Sequence, residues 1–238
     1  MKAAIAYPPI ISDKGVPLLS QNRQFQWFHK PTYVYPMVPA YAATMAEQAG
    51  HKVLWADGIA EKWSPEQFNR TVTDFAPDLC MIEAKTPIIR QYWQSVNELK
   101  TLRPQTRIAL CGDHVTALPE ETMRKCKTDF VFTGGDFDFT FVSMLQWLSQ
   151  SGHKPDTMPP GVYFRDNGSI RNTGGFQLSH ELDSLPIINR DLTRWQLYST
   201  ENGNYRYTPG TYTMFGRDCW WGKCTFCAWT TLYNKWRA

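Results

Sequence analysis

Short apolar runs alternate with stretches of helical period along the first 150 residues. Lys2 to Tyr7 is apolar after its first residue and stops at Pro8-Pro9, the pattern of a buried parallel strand. Lys52 to Ala56, Asp78 to Glu83, Arg107 to Cys111 and Asp129 to Phe132 repeat it. The segments between them carry helix signals. Pro39 to Gln48 has Pro in its first turn and Gly50 just past its end. Ser64-Pro65-Glu66-Gln67 joins a capping Ser, a Pro at the first helical position and a Gln able to reach back, and predicts a helix to about Phe75. Pro87 to Leu102 sets Ile88, Tyr92, Val96 and Leu99 at helical spacing. Gly112-Asp113-His114 predicts a tight turn into a helix over Leu118 to Lys125, and Gly134-Gly135 precedes a helix over Phe137 to Gln150.

Five strands alternating with helices predict an α/β fold, a five-stranded doubly wound parallel sheet of flavodoxin-like or Rossmann-like type over residues 1–150. Such sheets bind ligands at the carboxyl ends of their strands. Those ends are Tyr7-Pro8, Glu83 to Thr86, Cys111 to His114 and Thr133 to Asp136. Two of them carry Gly, which lets a ligand approach the backbone closely. Residues 8–36 have no period and form a long loop of the kind that often carries function.

Residues 151–208 read as a linker and bridge. The stretch 151–161 is polar and Pro-rich, and Gly161 to Ile170 reads as a hairpin turning at Asp166-Asn167-Gly168. Thr211 to Phe215 is expected to be a strand, opening a further domain over 209–238.

Composition narrows the class. The chain has 238 residues, 42% of them hydrophobic, enough for a packed core. A net charge of +3 favours neither nucleic acid nor an anionic membrane as the main partner. No apolar run approaches the ~20 residues of a membrane span. Pro8-Pro9 cuts short the apolar start, so it reads as a strand and not as a secretion signal, and a cytoplasmic setting with reduced thiols is expected.

Three of the six cysteines, Cys219, Cys224 and Cys227, fall within nine residues at C-x4-C-x2-C spacing. Thiolates this close can converge on one soft-metal centre. A zinc site would need a fourth ligand, and no His follows Cys227, the nearest before the cluster being His180. A disulfide with one free thiol would suit a secreted protein. Three cysteines on a [4Fe-4S] cube would leave one iron free to bind a substrate or cofactor. Cys80, Cys111 and Cys126 are scattered, and Cys80 lies in an apolar run as a core residue.

The cysteine stretch resembles that of the radical S-adenosylmethionine (SAM) enzymes, whose C-x3-C-x2-C motif has an aromatic residue before the last Cys. Phe226 fills that place, and Trp220-Trp221-Gly222-Lys223 is one residue longer than usual, an insertion Gly222 can absorb. The resemblance implies a [4Fe-4S] cluster on Cys219, Cys224 and Cys227, SAM bound at the open iron beside Phe226, and reductive cleavage of SAM to a 5′-deoxyadenosyl radical.

Upstream segments resemble the cobalamin-binding domain of one branch of these enzymes. They are Pro39-Ala40-Tyr41-Ala42-Ala43 with Gly50-His51-Lys52-Val53, Ala76-Pro77-Asp78-Leu79, Gly112-Asp113-His114-Val115-Thr116, and Asp129-Phe130-Val131-Phe132-Thr133-Gly134-Gly135-Asp136, where Gly135 replaces the usual Glu. Leu182-Asp183-Ser184-Leu185-Pro186 resembles that branch's bridge. The resemblance implies cobalamin contacts from Tyr7, Pro8, Thr86, Gly112, Asp113, His114, Gly134 and Gly135. The loop after the first strand has no His between Asp13 and Gly15, which implies cobalamin without a protein His on cobalt, and His114 as a hydrogen-bonding or pocket-lining residue. Asp57, Asp136 and Asp138 read as helix caps or loop acids, or as contacts to the corrin amides.

The resemblance further implies methyl transfer to an unactivated carbon, or a radical rearrangement or cyclisation. The substrate would be a small molecule or peptide, and a flavodoxin or ferredoxin would donate electrons. A non-catalytic binding protein with a structural metal is the alternative. A phosphorylation receiver is disfavoured, because Ala6-Tyr7 and Glu83-Ala84 stand where it needs acids. A barrel at the usual ~250-residue scale needs far more chain than the eleven residues after Cys227, so a truncated barrel domain, inactive alone, is expected.

Overall fold

The structure, a computed structural model, describes residues 1–17, 27–150, 154–203, 205–217, 219–227 and 229–233. Its centre is a sheet of β1 (Lys2–Tyr7), β2 (Lys52–Asp57), β3 (Leu79–Glu83), β4 (Arg107–Cys111) and β5 (Phe130–Phe132), extended by β6 (Val162–Asp166) and β7 (Ser169–Asn172). The spatial order is β2-β1-β3-β4-β5-β6-β7. The first five strands are parallel, and the order reverses at β1, as expected for a doubly wound sheet.

Both faces of the strands are apolar, so alternate residues feed two cores. Ala3, Ile5, Leu79, Met81, Ala109 and Phe132 pack with α1 (Met37–Gln48) and α6 (Phe137–Ser149). Ala4, Ala6, Cys80, Ile82, Ile108 and Leu110 pack under α2 (Pro65–Phe75) and α3 (Ile89–Leu102). The α2 capping box forms: Gln67 N donates to Ser64 Oγ at 3.2 Å and Ser64 N donates to Gln67 Oε1 at 2.9 Å, worth about 1 kcal/mol. The helix expected over Leu118 to Lys125 is present as α5 (Pro119–Lys125), and the expected tight turn before it is itself a short helix, α4 (Asp113–Ala117), kept separate because Pro119 has no N–H to continue the helical bonding.

The expected hairpin is present, and β6 pairs antiparallel with β5 through Phe130–Phe164 and Phe132–Val162. It therefore widens the sheet to seven strands. The bridge after it runs back over the other sheet edge. Trp55 Nε1 donates to the Tyr198 hydroxyl at 3.0 Å, and that hydroxyl donates to Asp57 Oδ2 at 2.7 Å.

One expectation is corrected. Residues 211–215 form no strand. A first barrel strand pairs with other barrel strands, and among the described residues none lies beside it. The Tyr212 carbonyl instead accepts from Arg190 Nη2 at 2.9 Å. A short α7 (Trp229–Leu232) ends the described chain. No helix among the described residues is long and apolar enough to cross a membrane.

Candidate functional site at the carboxyl edge of the sheet

The residues expected to meet cobalamin do come together on one edge, because β1, β3, β4 and β5 are parallel and end side by side. Their side chains face different ways. Tyr7 is buried and donates to Glu83 Oε2 at 2.7 Å, and burial with the neighbouring carboxylate pushes its phenol well above the ordinary range. Pro8 is buried beside it, while Pro9 lines a cavity of about 400 Å³ with Ile10, Tyr33, Gly58 and Trp63. Thr86 is exposed, and its hydroxyl lies 3.2 Å from His114 Nδ1. Asp113 is half-buried and accepts from the His114 backbone N–H.

Gly112 sits at φ +109°, and a Cβ there would stand 2.6 Å from the Ala84 carbonyl oxygen. Only a residue without a side chain lets β4 leave the sheet this close to β3. His114 is buried, which pushes its imidazole below the ordinary value. Its Nε2 has no hydrogen-bond partner, and Glu121 stands 3.9 Å away. Beside it Lys85 Nζ and Glu83 Oε1 form a buried ion pair at 3.0 Å whose geometry gives neither atom a hydrogen bond. Buried polar atoms left unsatisfied are uncommon and mark a place where a ligand can supply partners. Cobalamin, rimmed by amides that both donate and accept, fits that requirement.

Gly134 and Gly135 are covered by the chain itself. A Cβ on Gly134 would meet Phe176 at 2.5 Å, and one on Gly135 would meet the Tyr233 ring at 2.0 Å. Asp136 and Asp138 are neither plain caps nor open to a ligand. Both bind Arg217: Nη1 lies 2.9 Å from Asp136 Oδ1 and 3.0 Å from Asp138 Oδ1, and Nη2 lies 2.5 Å from Asp138 Oδ2. Burial works against the Arg217 charge, and the Asp138 and Asp136 carboxylates more than offset it, raising the pKa above its ordinary value. Asp57 is a loop acid, accepting from Ile59 N and Ala60 N at 3.0 Å in the turn after β2, where no helix begins.

The cysteine loop follows Arg217 directly. Cys219 is exposed, Cys224 and Cys227 are half-buried, and Cys227 N donates to the Cys224 carbonyl at 3.2 Å in a turn. Gly222 takes φ +60°, the backbone freedom asked of it by the extra residue. The donor set is all sulfur, which suits iron–sulfur or zinc chemistry. Among the described residues no three potential ligands are gathered around one point. Phe226 is 87% exposed. Trp220 and Trp221 are exposed and meet edge-to-face, while Trp236 lies outside the described residues.

Sequence reasoning missed Arg217, Phe176, Lys85 and Tyr233. The Asp-x-Asp stretch facing a lone Arg just ahead of the cysteines was the available signal for the first.

Residues 31–137 match the B12 binding domain family. The chain is 27% identical over 203 residues to the uncharacterized methyltransferase PH0819 of Pyrococcus horikoshii, covering 85% of this chain and 42% of that protein. Its fold is similar to OxsB, a cobalamin-dependent SAM radical enzyme solved with aqua-cobalamin and SAM bound (TM-score 0.69, 13% identity, 95% of this chain and 28% of that one). It is also similar to the radical SAM methyltransferase TsrM of Kitasatospora setae, solved with cobalamin and a [4Fe-4S] cluster (TM-score 0.55, 13% identity, 78% and 31%). These matches bear out the resemblance to cobalamin-carrying radical SAM enzymes read from the motifs. The chain spans less than half the length of each of these relatives.

Proposed function

We propose that this chain is the cobalamin-holding part of a radical SAM methyltransferase, with the cysteine loop of its catalytic domain attached. One observation carries the proposal: the strand edge covered by the B12 binding domain match is also the edge to which Arg217 ties the three-cysteine loop. When bound, the cluster would supply the electron that cleaves SAM, and cobalamin would carry a methyl group toward an unactivated carbon.

The residues present have narrower tasks. Gly112 lets the ends of β4 and β3 lie close together at this edge, and His114, Lys85 and Glu83 offer polar atoms to amide groups. His114 serves in this reading as a hydrogen-bonding or pocket-lining side chain, its Nδ1 held by Thr86 and its Nε2 without a partner. Cys219, Cys224 and Cys227 would hold three irons and leave the fourth for SAM, with Phe226 beside it. A small-molecule or peptide substrate and a flavodoxin-type or ferredoxin-type electron donor complete the reading. Rearrangement or cyclisation would use the same residues.

The test is anaerobic reconstitution of the full-length protein with iron and sulfide, followed by SAM and a chemical reductant. Release of 5′-deoxyadenosine by the wild type, and its loss when the three cysteines are changed to serine, is expected. Equal release by the serine variant would refute the proposal.

A further inference from the structure

We infer that Arg217 is a positioning residue, a latch that fixes the cysteine loop against the carboxyl edge of the parallel sheet. It stands two residues before Cys219, and its side chain is 1% exposed. Most of the loop it introduces is open to solvent: Cys219, Trp220, Trp221 and Phe226 are exposed. A buried guanidinium at the root of an exposed loop is unusual, because burying a charge requires partners that match it. Here Asp138 takes both Nη atoms and Asp136 takes Nη1. Phe139 lies 5.7 Å from the guanidinium carbon and stacks on His180 at 4.2 Å, and His180 Nδ1 lies 2.9 Å from Asp136 Oδ2.

The other end of the loop is tied to the same turn. Gly135 N donates to the Leu232 carbonyl at 2.9 Å, and the buried Tyr233 hydroxyl donates to the Gly135 carbonyl at 3.0 Å. The loop bearing the three cysteines thus leaves from and returns to one stretch, Gly135 to Asp138, at the end of β5. Arginine suits the task better than lysine. Its planar fork meets a carboxylate with two parallel bonds and fixes direction as well as distance. Lysine would keep the charge and lose the direction.

The purpose of the latch rests on the proposed function: it would hold the cluster thiolates at a set distance from a corrinoid on the same edge. The latch itself is tested without any cofactor. Hydrogen exchange is followed by mass spectrometry on the full-length protein as wild type, Arg217→Met and Arg217→Lys. Amides of residues 211–227 are expected to exchange about tenfold faster in Arg217→Met and to a lesser degree in Arg217→Lys, with β1 to β4 unchanged. Unchanged exchange over 211–227 would overturn the latch. So would an equal rise through the strands, which would make Arg217 a core residue only. Should Arg217→Met fail to fold, Arg217→Lys carries the same comparison.

A second readout separates positioning from support. At equal iron and cobalamin content, the magnetic coupling between reduced cluster and cob(II)alamin is expected to fall at least about twofold in Arg217→Lys, since loop placement, not loading, has changed. Unchanged coupling at equal loading would contradict a positioning role. A wild type that binds neither cofactor would refute the cofactor reading, while the exchange result would still decide the latch.

Discussion

The Tyr7 hydroxyl donates to Oε2 of Glu83 at 2.7 Å, joining the carboxyl ends of two neighbouring parallel strands inside the protein. The other oxygen of Glu83 faces Lys85 Nζ at 3.0 Å. Removing the hydroxyl leaves a buried carboxylate oxygen unpaired. Tyr7→Phe should therefore cost about 2 kcal/mol, read as a lower urea midpoint with an unchanged slope. A midpoint equal to wild type would show that the bond contributes nothing net.

Gly112 is the tightest backbone passage on the same edge. A methyl group there would stand 2.6 Å from a backbone oxygen at a positive φ. Gly112→Ala should destabilise by about 3 kcal/mol and weaken cobalamin binding as well, since the strand end must shift. Calorimetry and equilibrium dialysis with hydroxocobalamin check the two effects.

His114 gives a pH signature. Burial holds its imidazole below 6.5 in the folded chain, so the unfolded chain takes up the proton first as pH falls. Its contribution to stability is complete above about pH 6.5 and is lost as pH drops toward the folded value. Wild type should lose stability more steeply below that pH than His114→Asn, with the difference constant above pH 7. Parallel curves in denaturant titrations across that range would contradict this.

The six cysteines should divide into two classes. Burial pushes the Cys80 thiol up to about 12 and Cys126 up to about 11, and Cys111 is raised by burial and Glu83. Cys219 is exposed, and Cys224 and Cys227 are half-buried. In the metal-free folded chain at pH 8, iodoacetamide should label the last three and spare the first three until denaturant is added. Peptide mapping reads the outcome. Labelling of Cys80 at the rate of Cys219 would show that the sheet is not closed around it.

Much of this was legible in the residues because buried parallel strands leave strong signals. Ala3 to Ala6 and Leu79 to Ile82 are apolar on both faces, and Ser64 to Gln67 spells its own cap. The pairing of β6 with β5 was not legible. It depends on which edge the hairpin meets, and nothing local to Val162 to Asp166 names Phe130 as a neighbour. Arg217 was hidden for the same reason: its partners lie 79 and 81 positions away. Without them Asp136 and Asp138 read as caps or corrin contacts. The expected strand over 211–215 rested on its place ahead of the cysteine loop, as the first barrel strand the resemblance implies, and a strand does not form where no neighbouring strand lies alongside.

The central claim is that one strand edge serves cobalamin and the cysteine loop together. Its most direct test is the cofactor content of the full-length protein, purified anaerobically after expression with hydroxocobalamin and iron. The account predicts close to one corrinoid and four irons per chain, with a [4Fe-4S] electron paramagnetic resonance signal that shifts when SAM is added. Colourless protein holding stoichiometric zinc and no corrinoid would contradict it.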